Sequence, residues 1–383
     1  MNLKKSRGVT EMENSTHIRG KVIIGGGGTG GHIYPAIAIA EAVRAANPLV
    51  EILFVGAEGK MEIEKVPAAG FNIEGIPVRG LERSFTPRNV YFPVSLIKSV
   101  LKARKIVGCF RPDVVVGTGG YASGPVGQAA LSKGIPLILQ EQNSHAGITN
   151  RILGKRADKI CVAYKGMEKY FPAGKIELTG NPVRETLADN NGKRGEALSS
   201  FGFAEREKVL LVLGGSGGAG IINRTMRKNI RLLKDSRIGI IWQCGIKYYD
   251  EAHEDLIRSG ADNIRVTPFI ERMDLAYAAA DLVVSRAGAI TISELQLTGK
   301  PALLIPSPNV AGDHQKMNAK EMVKENAAVM ISDEDAEEEM VPAAVSLLED
   351  EGKLRTLKER SKAISKPGAA RRIAEIVMSY LKD

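Results

Sequence analysis

The stretch that decides the fold is Lys21-Val22-Ile23-Ile24-Gly25-Gly26-Gly27-Gly28-Thr29-Gly30-Gly31-His32. A short β-favouring apolar run passes directly into seven residues of which six are glycine, and residues 35–46 then carry a helical period. Strand, glycine loop and helix form the opening unit of a nucleotide-handling α/β domain. Glycines let backbone N–H groups approach a phosphate, and the helix N-terminus favours the anion. So many glycines have a large folding entropy cost, which favours a ligand over a plain turn. Outward from this unit, residues 50–55, 113–116, 135–139 and 158–162 are near-continuous apolar runs, as expected of parallel strands covered on both faces. The grammar restarts at 208: a strand over 209–213, a glycine loop over 214–220, a helix over 221–233, then strands over 238–242, 263–267, 281–284 and 301–305. The fold class is therefore α/β, with two Rossmann-like, doubly wound domains. Ligands bind beyond the carboxyl ends of such strands, so two parallel sheets facing each other across a cleft suit two phosphorylated substrates.

A length of 383 residues fits two domains. The expected division is a disordered leader over 1–20, a first domain over 21–182 and a second over 183–367. Pro182 disfavours helix at Asn181 and sets the boundary. After the Pro367-Gly368 break, residues 368–383 form a helix free to pack away from their sequence neighbours. No apolar run approaches the ~18 residues of a membrane span, and residues 1–20 have no apolar core of a secretory signal. Cys109, Cys161 and Cys244 lie far apart in or beside apolar runs, which reads as buried reduced thiols in a cytoplasmic protein. The net charge of +9 asks for an anionic partner; nucleic acid, an anionic membrane face and a phosphorylated substrate all fit. Residues 79–111 hold eight basic residues against one acid, Glu82. Within them the loop over 81–92, with Phe85, Tyr91 and Phe92, is the best membrane candidate. The helix that follows reads as an ordinary amphipathic one.

Several motifs stand at predicted strand ends. Gly117-Thr118-Gly119-Gly120-Tyr121 lies at the same sheet edge as the first loop, and two anion-type loops suggest a diphosphate. Gln140-Glu141-Gln142-Asn143 follows a strand and suits hydroxyl or amide recognition. Gly214 to Gly220 repeats the loop logic with Ser216 as a hydroxyl donor. Glu294, in the helix after Ser285-Arg286-Ala287-Gly288, can accept both hydroxyls of a ribose, or simply complement the helix dipole. His32 is a candidate general base or a loop brace. Glu58 stands roughly where a dinucleotide-binding protein keeps its ribose acid. Asp333-Glu334-Asp335 has the form of a metal-binding Asp-x-Asp but reads as a solvated acidic surface, and no metal site is expected.

Taken in order, Gly27-Gly28-Thr29-Gly30-Gly31-His32, Gly119 to Pro125, Glu141-Gln142-Asn143, Gly180-Asn181-Pro182-Val183-Arg184, Gly214-Gly215-Ser216, Arg286 to Glu294, and Asp313-His314-Gln315 with Asn318 resemble one family. It is that of the peptidoglycan glycosyltransferases that add N-acetylglucosamine to lipid I to form lipid II. The resemblance covers nearly all of 21–383. It implies a GT-B fold whose C-terminal helix returns to the first domain, and a second domain that binds UDP-N-acetylglucosamine. Ser216 would hold the diphosphate, Ile270 the uracil and Glu294 the ribose. Arg184, Asn143 and Gln315 would contact the donor, together with Thr29, Gly30 and Gly31. Gly27, Gly28, Gly119, Gly120 and Tyr121 would hold the acceptor's diphosphate. It further implies inverting transfer to the 4-hydroxyl of N-acetylmuramic acid, with His32 as base and no cofactor. The setting would be peripheral, on the cytoplasmic face of the cell membrane, without nucleic acid, in cell-wall growth and hence cell shape and division. The sequence departs from the family pattern at Gln140, where histidine is frequent, and at Gln315-Lys316-Met317-Asn318, where two adjacent glutamines are usual. A UDP-N-acetylglucosamine epimerase on the same fold and a dinucleotide-dependent oxidoreductase are the alternatives.

Overall fold

The computed structural model describes residues 19–78, 92–184, 187, 192–204, 208–215, 217–310 and 313–382. Leader residues 1–18, most of the basic loop over 81–92, and Ser216 lie outside the described residues.

The first sheet holds β1 (Lys21–Gly25), β2 (Glu51–Ala57), β3 (Asn72–Ile76), β4 (Val114–Gly117), β5 (Leu137–Glu141), β6 (Lys159–Val162) and β7 (Ile176–Leu178). Their spatial order is β3-β2-β1-β4-β5-β6-β7, with every pair parallel. The second holds β8 (Lys208–Leu213), β9 (Ile238–Gln243), β10 (Ile264–Thr267), β11 (Leu282–Ser285), β12 (Ala302–Leu304) and β13 (Val329–Met330). Its order is β10-β9-β8-β11-β12-β13, also parallel. Each order reverses once, between β1 and β4 in the first sheet and between β8 and β11 in the second. At such a switch point the helices leaving two neighbouring strands go to opposite faces and open a crevice.

The apolar runs are strands because alternate side chains feed two different cores. Ile23, Val115, Leu137 and Leu139 pack on one face with Ala103, Ile106 and Val107 of the helix Phe92–Phe110. Val22, Ile24, Val114, Val116 and Ile138 face the other way, onto Ile33, Ile39 and Val43 of the helix Gly30–Ala46. The last helix, Ala369–Met378, joins that second layer through Ile373, Ile376 and Val377 and lies against Gly30–Ala46. In the second sheet, Leu211, Leu213 and Val283 face Ile292 and Leu295, while Leu210, Val212 and Trp242 face Ile222 and Met226.

Four readings change. The expected strand over 135–139 runs from Leu137 to Glu141, so Gln140 and Glu141 are strand residues, fully or almost fully buried. The expected helix over 221–233 is two, Gly220–Lys228 and Ile230–Lys234, broken at Asn229, whose side-chain amide donates to Thr225 O at 2.8 Å. Strands β3, β7 and β13 have no counterpart in the sequence reading. All three are sheet edges, little buried, and lack a continuous apolar run. Cys109 is exposed, unlike Cys161 and Cys244, because it lies near the open end of its helix. No helix among the described residues is long and apolar enough to cross a membrane.

Candidate active site

Both glycine loops of the first domain leave the β1/β4 switch point, and they touch. A Cβ on Gly120, where φ is +78°, would run into Gly27 O. Gly27 itself, at φ +138°, has no room for a side chain because Glu62 lies against it. Glu62 opens the helix Glu62–Ala68 and is 0% exposed. Its carboxylate accepts Gly28 N–H at 2.9 and 3.0 Å and Ala57 N–H at 2.9 Å. A buried carboxylate is tolerated when backbone donors satisfy it in this way. The consequence corrects the sequence reading: Gly28 N–H is aimed at Glu62, not outward at a diphosphate. The amides of this loop for which no hydrogen-bond partner is found among the described residues are those of Gly27 and of Thr29, Gly30 and Gly31, the last three at the start of the helix Gly30–Ala46. Sequence reasoning missed Glu62, since an acid in a first helical turn looks like an ordinary dipole complement. Tyr121, at the mouth of the second loop, is largely exposed beside Gly28.

His32 lies in the first turn of the same helix. Its Nδ1 is 3.0 Å from Thr118 O and 3.1 Å from Gln142 Oε1. A carbonyl cannot donate, so Nδ1 carries the proton and Nε2 presents its lone pair. Thr118 Oγ1 donates back to His32 O at 3.0 Å, locking the helix start to the second loop. Behind His32 lies a buried set of amides. Gln142 Nε2 donates to Thr118 O at 2.7 Å and to Gln140 Oε1. Gln140 Nε2 donates to Asn181 Oδ1 at 3.0 Å. Glu141 shapes the next turn, accepting from Asn143 N at 3.0 Å, Gly147 N at 3.0 Å and Asn150 Nδ2 at 2.9 Å.

In the second domain, the loop after β8 and the helix Ala289–Thr298 after β11 flank the other switch point. Glu294 is on that helix, half-buried, and accepts the Tyr277 hydroxyl at 2.9 Å. Burial pushes its carboxyl up to about 7, against the opposing pull of the Tyr277 hydrogen bond and the Arg184 charge. Ile270 is buried, and its N–H donates to Gln243 Oε1 at 3.1 Å. Gln315 Oε1 accepts Ser307 N–H at 2.9 Å, so its carbonyl is already engaged. Asp333 is not merely solvated, as its acidic run had suggested. It is ion-paired with Arg286, whose guanidinium also donates to Ile305 O at 3.1 Å and fixes the turn after β11. Glu58, the acid of the dinucleotide reading, pairs with Lys102 at 2.8 Å. Among the described residues, no group of three or more His, Cys, Asp or Glu side chains converges on a metal position.

The two sheet edges meet through polar side chains. Asn318 Oδ1 accepts from Ser144 N at 3.2 Å and Ser144 Oγ at 3.1 Å, and its Nδ2 donates to Asn143 Oδ1 at 3.3 Å. Asn181 Nδ2 donates to Ser293 Oγ at 3.0 Å. The Arg184 guanidinium lies 5.7 Å from the centre of the Tyr34 ring. His32, through Gln142, Gln140 and Asn181, and Asn143, through Asn318, are thus tied to the second domain, and Gln315 lies in the first turn of the helix His314–Lys324.

Two Rossmann-like domains, each an all-parallel sheet with one switch point, are the architecture of a GT-B glycosyltransferase. The chain belongs to glycosyltransferase family 28: residues 22–162 match its N-terminal domain and residues 209–376 its C-terminal domain. It is 50% identical over 361 residues to a Parabacteroides distasonis protein, covering 94% of this chain and 98% of that one. That relative is named UDP-N-acetylglucosamine–N-acetylmuramyl-(pentapeptide) pyrophosphoryl-undecaprenol N-acetylglucosamine transferase. A protein of the same name from Christiangramia forsetii is 48% identical over 363 residues, 95% of this chain and 98% of its own. Among solved structures, Acinetobacter baumannii MurG superposes with a TM-score of 0.74 at 27% identity, covering 94% of this chain and 99% of that one. A UDP-GlcNAc 2-epimerase from Neisseria meningitidis, bound to UDP-GlcNAc, reaches a TM-score of 0.67 at 15% identity, covering 94% and 100%; that likeness is one of fold alone.

Proposed function

We propose that this chain moves N-acetylglucosamine from UDP-N-acetylglucosamine to the 4-hydroxyl of the N-acetylmuramic acid of lipid I, producing lipid II for peptidoglycan. The observation that carries the reading is the 50% identity to a transferase of that name over 94% of the chain. Family membership, the second domain's carboxylate and the first domain's free helix-terminal amides support it.

In this mechanism the acceptor's 4-oxygen attacks carbon 1 of the donor sugar with inversion. The new C1–O4 bond forms as the bond from C1 to the β-phosphate oxygen breaks. His32 Nε2, with its lone pair exposed by the Nδ1–H tautomer, takes the hydroxyl proton, and UDP departs with the electron pair. Glu294 holds the ribose, Ile270 lies by the uracil, and Arg184, Asn143 and Gln315 border the donor. Amides of the loop after β8, with Ser216, meet the growing charge on UDP; preorganised donors of this kind are each worth about 10²–10³ in rate. Thr29, Gly30 and Gly31 have their amides free for an anionic group, while Gly27, Gly28, Gly119, Gly120 and Tyr121 shape the acceptor side.

We place the enzyme peripherally at the cytoplasmic membrane face. In support, the helix Phe92–Phe110 buries one apolar face and exposes another: Ile97 and Leu101 are each 60% exposed, next to Lys98, Lys102 and Lys105. A basic and apolar surface of this kind suits an anionic bilayer. The test is incubation with radiolabelled UDP-N-acetylglucosamine and a lipid I analogue. Label entering the lipid fraction only when both substrates are present is the expected result; a folded enzyme that leaves the lipid unlabelled refutes the proposal.

A further inference from the structure

The buried amides behind His32 form more than a packing contact, because five hydrogen bonds in succession run one way, from His32 to the helix Ala289–Thr298. His32 Nδ1–H donates to Gln142 Oε1 at 3.1 Å, and Gln142 Nε2 donates to Gln140 Oε1. Gln140 Nε2 donates to Asn181 Oδ1 at 3.0 Å, and Asn181 Nδ2 donates to Ser293 Oγ at 3.0 Å. Ser293 Oγ completes the chain by donating to Ala289 O at 3.0 Å. The direction is fixed rather than chosen. The Thr118 and Ala289 carbonyls can only accept, which sets the proton on His32, orients the Gln142 amide and turns the Ser293 hydroxyl. Bonds aligned head to tail polarise one another, and low surroundings of water strengthen them. Gln140 and Gln142 are essentially inaccessible to solvent, and Asn181 nearly so.

The chain crosses from one domain to the other. His32, Gln142 and Gln140 belong to the first sheet's edge, and Asn181 sits in the segment that passes between domains. Ser293 is on the helix Ala289–Thr298, next to Glu294. Asn181 is the junction. Its two amide hydrogens have two well-placed acceptors, Gln142 O at 3.1 Å and Ser293 Oγ at 3.0 Å, while its oxygen takes the Gln140 proton. A domain rotation that moves the helix by an ångström must break the Asn181–Ser293 bond or carry the amides with it.

We propose that Asn181 and Ser293 are positioning residues: a nucleotide held by the second domain orients the His32 imidazole through this one-way chain, so that the base is set when the donor is in place. The inference rests on the reading of Glu294 as a donor contact. It rests equally on His32 as the base, and what it adds is a physical coupling between the two sites.

The test follows the His32 ring by nuclear magnetic resonance in the full-length protein, with UDP as the probe. UDP is expected to shift the His32 ring signals of the wild type. In Ser293→Ala, UDP affinity stays within about twofold, the shift falls below about half, and kcat drops roughly tenfold at unchanged donor KM, the scale of a typical coupling between sites. Ser293→Thr, which keeps the hydroxyl, restores both. If Ser293→Ala is too unstable to study, Asn181→Asp removes the donor of the same hydrogen bond and must give the same loss. A wild-type ring that ignores UDP, or a shift that survives in Ser293→Ala, overturns the proposal. Full turnover in His32→Gln also overturns it while leaving the transferase reading intact, because the nucleotide would then have no base to set.

Discussion

Replacing Glu294 with glutamine should stabilise this protein at alkaline pH while weakening its hold on the nucleotide. In the folded chain the Glu294 carboxyl keeps its proton up to about 7, because burial disfavours the charge. In the unfolded chain a glutamate releases it near 4.3. Between those values the folded state binds the extra proton, so its stability falls as pH rises from about 4.5 to 7 and is flat above. At about 1.4 kcal/mol per unit, the full difference is about 3.5 kcal/mol, and partial solvent access reduces it to about 1–3 kcal/mol. Glutamine never ionises and still offers the Tyr277 hydroxyl an acceptor. Glu294→Gln should therefore be more stable than wild type by that amount at pH 8.5, with most of the gain gone by pH 5. Urea unfolding followed by Trp242, the single tryptophan and a buried residue of the second domain, reads this directly. UDP affinity should fall about tenfold or more, since hydrogen bonds to a charged acceptor are worth about 1.5–3 kcal/mol. Wild-type affinity should also rise with pH through about 7, and that of the variant should not. No stability gain at pH 8.5, or a gain of equal size at pH 5, would refute the reasoning.

Three further outcomes follow from the first domain and the thiols. Glu62→Ala leaves Gly28 and Ala57 N–H without their acceptor and should cost about 2–4 kcal/mol, raising the acceptor KM with UDP affinity unchanged; equal damage to both substrates would contradict a role confined to the first loop. Gly120→Ala adds a methyl where φ is +78° and Gly27 O stands in its way, so a loss of about 2 kcal/mol or more is expected in a denaturant melt, together with lost transfer. Burial pushes the Cys161 thiol up to about 12 and the Cys244 thiol to about 11, so a thiol reagent at pH 8 should titrate only the exposed Cys109 until the protein is denatured. Two or three fast thiols in the native protein would mean that the cores around Cys161 and Cys244 open readily.

Much of the fold is written in local pattern. Strands β1, β4, β8 and β11 are apolar on both faces, and glycine runs follow at or close behind the carboxyl ends of β1, β4 and β8, so these could be read as buried parallel strands before any contact was known. The edges could not. In β3, Asn72, Glu74 and Gly75 interrupt the apolar residues, and β7 is half-exposed, so neither has the composition that betrays a strand. The site divides in the same way. His32, Arg184 and Glu294 sit in motifs with a local signature. Glu62 and Gln243 had no such signature, because their partners are backbone N–H groups that only the assembled sheet brings near. Gln140 was legible as a polar residue at a strand end, but its full burial depends on Asn181, 41 positions away.

The return of the helix Ala369–Met378 to the first domain bears on how the chain is born. On a ribosome, β7 emerges about 190 residues before this helix, an interval of roughly 10–40 s at the usual pace of synthesis. Throughout it, the outer face of the helix Gly30–Ala46 lacks its partner, and an apolar stripe meant for Ile373, Ile376 and Val377 stays open to water. The nascent first domain is thus a client for whatever shields apolar surface in the cell. A message truncated anywhere before residue 369 would yield a product that sticks to its neighbours rather than a smaller working domain.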